Sequence, residues 1–173
     1  ETQRTDSPIS VYAVSKKANE LLANTYSHLY GMSLIGLRFF TVYGPWTRPD
    51  MASFIFMKAI QESKPIELFN EGKIIRDFTY INDIVKSISL LIDKIREENV
   101  PQSRIFNIGN HHPVFIIDFL QAIEKAMARK AEINFKPAQP GDMLSTNASC
   151  ELLYSCIGFK PQTSIENGVN EMV

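Results

Sequence analysis

The stretch Leu34-Ile35-Gly36-Leu37-Arg38-Phe39-Phe40 decides the fold class of this chain. It is an almost unbroken apolar run, which predicts a strand buried on both faces, as in a parallel sheet. Outward from it, shorter strands are predicted to alternate with helices, and this alternation predicts an α/β fold with a mainly parallel sheet. The other predicted strands are 66–69, 76–80, 104–108 and 132–135, and the predicted helices are 54–62, 82–96, 116–127 and two at the chain end.

The segment before this strand is predicted to be a helix. Asp6-Ser7-Pro8 is typical of a helix start, because a capping side chain is followed by a proline near the first turn. The helix should run to Tyr30, since Gly31 tolerates the left-handed conformation that follows many helices. Four residues at helical spacing predict its buried face: Ala18, Leu22, Tyr26 and Leu29.

The composition argues against two classes of partner. Hydrophobic residues make up 45% and charged residues 21% of the 173 residues, as in an ordinary globular domain. The 18 Lys+Arg and 19 Asp+Glu leave a net charge of −1, whereas binding to nucleic acid or to a membrane surface usually leaves a basic footprint. No apolar run approaches the roughly 20 residues of a membrane span. We therefore expect neither a nucleic-acid partner nor a membrane.

The cysteines and histidines show no disulfide or metal spacing. Cys150 and Cys156 lie six residues apart, which favours two reduced thiols in a cytoplasmic protein. His111-His112 has no third ligand at a suitable spacing, so a solvated loop is favoured over a metal site. We expect no bound metal.

The sequence contains no glycine-rich turn after a strand, neither G-x-x-G-x-x-G nor G-x-G-x-x-G. Such a turn cradles the phosphates of a dinucleotide. The sequence also starts without Met and stops within a helix-like segment. We therefore expect a fragment that lacks the dinucleotide-binding half of its own protein.

The candidate chemistry lies at Tyr12 and Lys16, which are four residues apart and so share one helix face. A free tyrosine has a pKa near ~10 and is a poor base at neutral pH. A lysine charge beside it favours the phenolate, which can take a proton from a hydroxyl group. The alternative is a surface lysine that merely lies over a tyrosine, since this spacing also occurs by chance.

Six stretches of the sequence resemble the extended short-chain dehydrogenase/reductase family, and among its members UDP-glucuronate 4-epimerases most closely. They occur in the family's order and span nearly the whole chain. The stretches are 10–21 with Tyr12-Ala13-Val14-Ser15-Lys16, 37–46, 48–52, 76–84 with Arg76-Asp77-Phe78-Thr79-Tyr80, 106–110 with Phe106-Asn107-Ile108-Gly109-Asn110, and 139–142.

The resemblance implies an enzyme that uses NAD. In this family Tyr12 would be the active-site base, and Lys16 would also hold the nicotinamide ribose. Phe40 would lie at the strand end beside the nicotinamide, with core packing as the alternative role. A serine or threonine that assists the tyrosine would precede this chain.

The resemblance also assigns residues to the sugar. Thr41 lies where galactose-type epimerases carry an asparagine, and a small hydroxyl there suits a uronic acid whose carboxylate needs a donor. Arg48 is the candidate partner of that carboxylate, because an arginine can bind one through two hydrogen bonds. The alternative for Arg48 is a solvated loop arginine.

The nucleotide end has its own set of expected residues. Arg76 would meet the pyrophosphate, with an ion pair to Asp77 or Glu71 as the alternative. Met51 and Ala52 would belong to a stretch that runs alongside the nucleotide, and Asp142 would lie in a loop that closes over the ribose or base. Phe69 would flank uracil or else belong to the core. The stretch Asn147-Ala148-Ser149 departs from the family pattern, although Ser149 is expected to cap the next helix.

These implications give one architecture and several candidate activities. We expect residues 1–45 to complete a Rossmann-like parallel sheet and 46–173 to form mainly a small α/β nucleotide-sugar domain, with about 81–109 returning to the main sheet. The implied reaction is inversion of C4 of a UDP-sugar, UDP-glucuronate to UDP-galacturonate, through a 4-keto intermediate, by a homodimer. The fragment alone is expected to be inactive. The alternatives are a UDP-glucuronate decarboxylase, a nucleotide-sugar 4,6-dehydratase, or a non-catalytic nucleotide-sugar-binding fragment.

Overall fold

The computed structural model describes residues 1, 4–98, 102–138 and 143–173. These residues form helices and strands in alternation along most of the chain. The helices are α1 (Val11–Tyr30), α2 (Ala52–Glu62), α3 (Ile81–Glu98), α4 (Ile116–Met127), α5 (Glu151–Ile157) and α6 (Ile165–Met172). The strands are β1 (Leu34–Phe39), β2 (Thr41–Tyr43), β3 (Ile66–Phe69), β4 (Ile75–Arg76), β5 (Phe78–Tyr80), β6 (Ser103–Ile108), β7 (Val114–Phe115) and β8 (Ile133–Lys136).

The described strands pair two by two, and most pairs are parallel. β1 runs parallel to β6, from Leu34 opposite Ser103 to Phe39 opposite Ile108. β2 is parallel to β5 and β3 is parallel to β8, whereas the short strands β4 and β7 are antiparallel. The predicted α/β class with a mainly parallel sheet is therefore confirmed.

The larger core lies where α2, α4 and α6 pack on β2, β3 and β5. The rings of Phe78 and Phe119 stack at its centre with centroids 3.9 Å apart, and the Tyr43 ring meets both edge-on. Burial raises the pKa of the Tyr43 phenol far above its ordinary value. The fully buried members from α4 are Phe119, Leu120 and Ile123.

A smaller core lies under β6, between α3 and α5. Ile108 and Leu153 are completely buried there, and Ile84 and Leu91 of α3 pack against them. The same cluster contacts Phe40 at the end of β1. The smaller core therefore packs the β1–β6 pair against α3 and α5.

α1 ends as predicted but begins later than predicted. Gly31 follows Tyr30 with a φ of 63°, and its N–H donates to the Ser27 carbonyl. The start predicted at residues 6–8 is wrong, because Ser10 is the N-cap and its hydroxyl accepts the Ala13 N–H at 3.1 Å. A serine that reaches the third residue of the first turn is a sufficient cap by itself.

The predicted buried face of α1 is also wrong. Ala18, Leu22, Tyr26 and Leu29 are all exposed. The side that packs on β1 and β6 instead carries small or charged residues, and Ser27 is the one buried residue of the helix. The helical spacing was correct, but spacing cannot tell which apolar row meets the same chain. The predicted burial of β1 on both faces fails similarly, since its residues are half-buried and Phe39 is exposed.

Within the described residues, no helix has both the length and the apolar character that crossing a membrane would require.

Candidate active site

Tyr12 and Lys16 lie together in the first two turns of α1. The Lys16 ammonium lies over the Tyr12 ring, 5.2 Å from its centroid. Tyr12 is 71% exposed, so its phenol is open to a ligand rather than enclosed in packed hydrocarbon. The four-residue spacing thus produces a tyrosine and a cation that an incoming hydroxyl can reach.

A first cavity of about 440 Å³ lies beside the Tyr12 ring. It brings together four of the expected site residues, Tyr12, Phe40, Arg48 and Met51. The loop between β2 and α2 forms most of the remaining wall. The other lining residues are Phe39, Val42, Tyr43, Gly44, Pro45, Trp46, Thr47 and Ile81.

A second cavity of about 630 Å³ lies at the carboxyl end of β1. Phe40, Thr41 and Met51 line it, and Phe40 and Met51 also line the first cavity. The Thr41 backbone N–H donates a hydrogen bond to the Asp77 carbonyl at 3.0 Å. Carboxyl ends of parallel strands are where α/β sheets bind ligands. The stretch that departs from the family pattern contributes Asn147 and Ser149 to this wall.

A third cavity of about 470 Å³ separates α1 from β1. Tyr12 and Lys16 line it near the helix start, and Asn19 and Glu20 follow one turn later. Its strand side is formed by β1, with Arg38 among the lining residues. Amide and ammonium donors of this kind suit the hydroxyls of a ribose.

Arg48 forms a two-pronged ion pair with the Asp50 carboxylate in this structure. Its Nε and Nη2 donate to the two Asp50 oxygens at 3.0 and 2.7 Å. This hydrogen-bonded pair holds the pKa of Asp50 below its ordinary value. Both side chains are exposed, so the ion pair is weak by itself. The loop therefore presents a guanidinium at the first cavity in the two-pronged geometry that carboxylates need.

Of the residues expected at the nucleotide end, Met51 lines the first two cavities, whereas Arg76, Ala52 and Phe69 line none of the three. Arg76 Nη1 donates to the carbonyls of Ile75, at 3.0 Å, and Met143. Ala52 packs against the larger core, and Phe69 is half-buried at the end of β3. Asp142 lies outside the described residues. The structure therefore brings Met51 together with the residues expected at the sugar end, and it does not bring Arg76, Ala52 or Phe69 to the same cavities.

The two acidic partners considered for Arg76 are otherwise engaged. Glu71 forms an ion pair with Lys73. The Asp77 carboxylate is fully buried and accepts backbone N–H groups from Asn110 at 2.8 Å, His111 at 3.1 Å and Ala148 at 2.9 Å. Asp77 also breaks the strand predicted over residues 76–80 into β4 and β5.

Asp77 is the residue that sequence reasoning missed. It joins the strand that carries Arg76 to the loop after β6 and to the stretch 146–149 that lines the second cavity. Gly109 completes the junction, because a Cβ there would lie 2.4 Å from the Ala148 side chain. The sequence did indicate these positions, because Arg76-Asp77 and Gly109-Asn110 belong to the stretches that resemble the family. Only the fold shows that they meet.

A second buried carboxylate explains another of the quoted stretches. Asp83 accepts the N–H groups of Gln162 and Thr163 at 3.0 and 2.9 Å, which ties α3 to the loop before α6. The Tyr80 hydroxyl donates to Glu171 at 2.8 Å, and burial raises the pKa of Tyr80 to about 12. These motif residues hold the fold together and do not face the three cavities.

The expected cap at Ser149 is wrong. Cys150 is the N-cap of α5, and its side chain makes no capping bond. Its thiol instead donates to the Gly109 carbonyl at 3.2 Å, and burial raises the pKa of that thiol. Cys150 and Cys156 are both free.

The histidine pair lies beside the Asp77 junction. The rings of His111 and His112 are 4.3 Å apart, and burial lowers the pKa of His111. Within the described ranges, no three histidine, cysteine or acidic side chains come together as a candidate metal site.

Comparison with known proteins decides the family. The model of the family described as "NAD dependent epimerase/dehydratase family" matches residues 1–109, more than half of the chain. The chain belongs to this family. The resemblance found in the motifs is therefore confirmed. The matched range contains Tyr12 and Lys16, and it also contains the residues of β1 that line the three cavities.

Named relatives carry the comparison further. A probable UDP-glucuronate 4-epimerase of Rhizobium meliloti is 42% identical over 100% of this chain and 55% of its own length. UDP-glucuronate 4-epimerase 4 of Arabidopsis thaliana is 43% identical over 100% of this chain and 42% of its own length. The chain thus spans about half the length of these relatives.

A solved structure gives the same result for the fold. UDP-glucuronic acid 4-epimerase from Bacillus cereus, in complex with UDP-glucuronic acid and NAD, matches with a TM-score of 0.86 and 31% identity. The match covers 96% of this chain and 52% of that chain.

Proposed function

We propose that the full-length parent of this chain inverts C4 of a UDP-sugar with NAD, and that its substrate is UDP-glucuronate and its product UDP-galacturonate. The observation that carries the proposal is the first cavity, where an open Tyr12 with Lys16 over its ring shares a wall with Arg48. The relatives found by sequence and the solved structure from Bacillus cereus support the same reaction.

The proton chemistry falls to Tyr12. The Lys16 ammonium favours the ionised phenol, which then takes the proton of the C4 hydroxyl and later returns it. Because the phenol faces a cavity and not packed hydrocarbon, a sugar ring can approach it. Between removal and return of this proton the sugar is a 4-keto intermediate. Its ring rotates in the site, so that it is reduced on the opposite face.

Specificity for a uronic acid falls to Arg48. Its guanidinium already binds a carboxylate of its own loop with two hydrogen bonds, and a substrate carboxylate would take the place of Asp50. Thr41 would supply a hydroxyl donor from the second cavity. Arg76, Met51, Ala52, Phe69 and Asp142 would hold the nucleotide while the sugar turns.

The residues around the third cavity fit the nicotinamide end of NAD. Lys16 would hold the ribose, and Phe40, which lines the first and second cavities and not the third, would lie beside the nicotinamide ring. When bound, NAD accepts a hydride from C4 and gives it back, so the cycle has no net redox change. The 173 residues contain no glycine-rich phosphate loop. We therefore propose that this chain alone shows no measurable turnover.

Two further partners belong to the proposal. The exposed apolar residues of α1, such as Leu22 and Leu29, would be covered by the N-terminal half of the parent and by a second copy in a homodimer. Residues 1–45 would complete the dinucleotide-binding sheet, and 46–173 would form mainly the sugar-nucleotide domain.

The test is the product formed by the full-length parent. Purified parent is incubated with UDP-glucuronate and NAD, and the sugar nucleotides are separated and identified by NMR. We expect UDP-galacturonate with no carbon dioxide. Release of carbon dioxide with a UDP-pentose would make the enzyme a decarboxylase, and loss of water to a 4-keto-6-deoxy sugar would make it a dehydratase. Binding without any conversion would favour a non-catalytic role.

A further inference from the structure

The Glu20 carboxylate of α1 is held by Arg38 of β1. Arg38 Nε donates to Glu20 Oε1 at 2.6 Å, and Nη2 donates to Oε2 at 2.9 Å. The Glu20 and Arg38 side chains are 16% and 27% exposed. The hydrogen-bonded guanidinium lowers the pKa of Glu20, and the carboxylate in turn raises the pKa of Arg38. This is a two-pronged ion pair on the wall of the third cavity.

The position of Glu20 on α1 makes this pairing relevant to Tyr12. Tyr12, Lys16 and Glu20 follow one another at four-residue spacing, so the lysine lies between a phenol and a carboxylate on one helix face. Its ammonium can therefore interact with either neighbour. In the structure it lies over the Tyr12 ring, and the Glu20 oxygens are taken by Arg38.

The surrounding charges do not replace Arg38. Lys17 approaches Glu20 only to 3.8 Å and shares its ammonium with Asp6 at 3.8 Å and the Thr5 hydroxyl. Glu1 is the other acidic group that acts on Arg38. Arg48 is the charged group that lines the first cavity beside Tyr12. Since α1 buries only Ser27 against the described chain, packing alone holds the helix weakly.

We propose that Arg38 is a positioning residue, which occupies the Glu20 carboxylate and so leaves the Lys16 ammonium to Tyr12. Without the guanidinium, Glu20 would compete for Lys16 and the phenol would lose part of the charge that favours its ionised form. This inference rests on the proposed role of Tyr12. It adds to the acid–base machinery a residue that acts on Tyr12 through Glu20 and Lys16.

The experiment compares matched variants of the full-length parent. Arg38→Met removes the guanidinium, and Arg38→Met/Glu20→Gln also removes the competing carboxylate. Arg104→Met is the control, because Arg104 of β6 forms an equivalent ion pair with Glu98 of α3 away from Tyr12. Arg38→Lys keeps one charge but loses the two-pronged contact, and it serves if the methionine variant does not fold.

The main readout is the pH profile of kcat/KM. We expect the acid limb of Arg38→Met to move up by about one pH unit, since a neighbouring charge shifts an ionisation by about one to three units. The double variant should return to the parent profile, and Arg104→Met should keep it. A limb that stays in place, or a shift that persists in the double variant, would overturn the inference.

A second readout does not need turnover. Ultraviolet difference titration of tyrosine ionisation, with the same variants carrying Tyr12→Phe subtracted, follows the Tyr12 phenol directly. The midpoint of the Tyr12 titration is expected at a higher pH in Arg38→Met than in the parent. In the double variant it is expected close to that of the parent. If the parent binds UDP-glucuronate but converts nothing, the proposed function fails, and this titration still decides the role of Arg38.

Discussion

Helices α1 and α4 differ in whether the described chain buries their apolar residues. α4 buries Phe119, Leu120 and Ile123 completely inside the larger core. α1 is longer by eight residues, 20 against 12, yet its apolar residues face outward and only Ser27 is buried. Both helices have apolar residues at helical spacing, so the difference lies in what covers them. The described chain covers the apolar side of α4, whereas on α1 it covers only the side that carries small or charged residues.

The comparison teaches where stability and chemistry are located. The side chains proposed for proton transfer lie on the weakly packed helix, whereas the side chains of the larger core come from later segments, α4 among them. Asp77 lies in neither helix and joins the loop after β6 to the stretch before α5 through their backbone N–H groups. Changes in α1 should therefore alter activity before stability, and changes in α4 should do the reverse.

The largest effect should come from Tyr12→Phe in the full-length parent. Loss of a general base should reduce kcat by about 10²- to 10⁴-fold, while UDP-sugar binding and the unfolding midpoint stay close to those of the parent. Tyr30→Phe is the control, since Tyr30 is an exposed tyrosine on the same helix. Turnover within tenfold of the parent would remove Tyr12 from the assigned role.

The matching change in the stable region is Phe119→Ala. Deleting a fully buried aromatic ring should lower the free energy of unfolding by about 3–5 kcal/mol, because the Phe78 ring loses its stacking partner and a void is left. Denaturant unfolding of the 173-residue chain measures the loss. A change below 1 kcal/mol would mean that the larger core does not carry the stability of the chain.

Asp77→Asn tests the junction that Asp77 forms between the loop after β6 and the stretch before α5. The amide keeps the size of the carboxylate but turns an NH₂ group toward backbone donors, so a loss of about 1–3 kcal/mol is expected. Asp93→Asn is the matched control, because Asp93 is exposed on α3 and contacts Arg96 only at 3.9 Å. Equal midpoints for the two variants would contradict a structural role for Asp77.

The smallest effect should come from Leu22→Ala in the 173-residue chain. Leu22 is 55% exposed, so the free energy of unfolding should change by less than about 0.5 kcal/mol. In the full-length parent the same change should cost about 2–5 kcal/mol if that side of α1 is covered. An equally small change in both proteins would show that this surface faces solvent in the parent too.

Local patterns were predicted well where neighbours in sequence decide them. The bounds of α4, the end of α1 at Gly31 and the strand from Leu34 all depend on residues within one or two turns. The Tyr12–Lys16 pair belongs to the same class, because helix geometry alone places the two side chains together. The motifs also indicated the family correctly.

Predictions failed where distant segments decide the outcome. The apolar row of α1 was assigned to the core, although nothing in its periodicity tells which body covers it. Asp77 was weighed as a partner of Arg76, but its carboxylate serves three N–H groups from residues 110, 111 and 148. Ser149 was expected to cap α5, and Cys150 holds that position.

By itself, the sequence determined where the helices and the longer strands lie, the parallel character of the sheet and the helix face that carries Tyr12 and Lys16, but not the short strands β2 and β7. These features follow from hydrogen bonds and side-chain spacing within short stretches of chain. The tertiary structure alone decided which carboxylate Arg38 holds, which loops Asp77 joins and which residues share a cavity with Tyr12. Such contacts join residues up to 71 positions apart, and burial of a charged group is stable only when the fold delivers all of its partners at once.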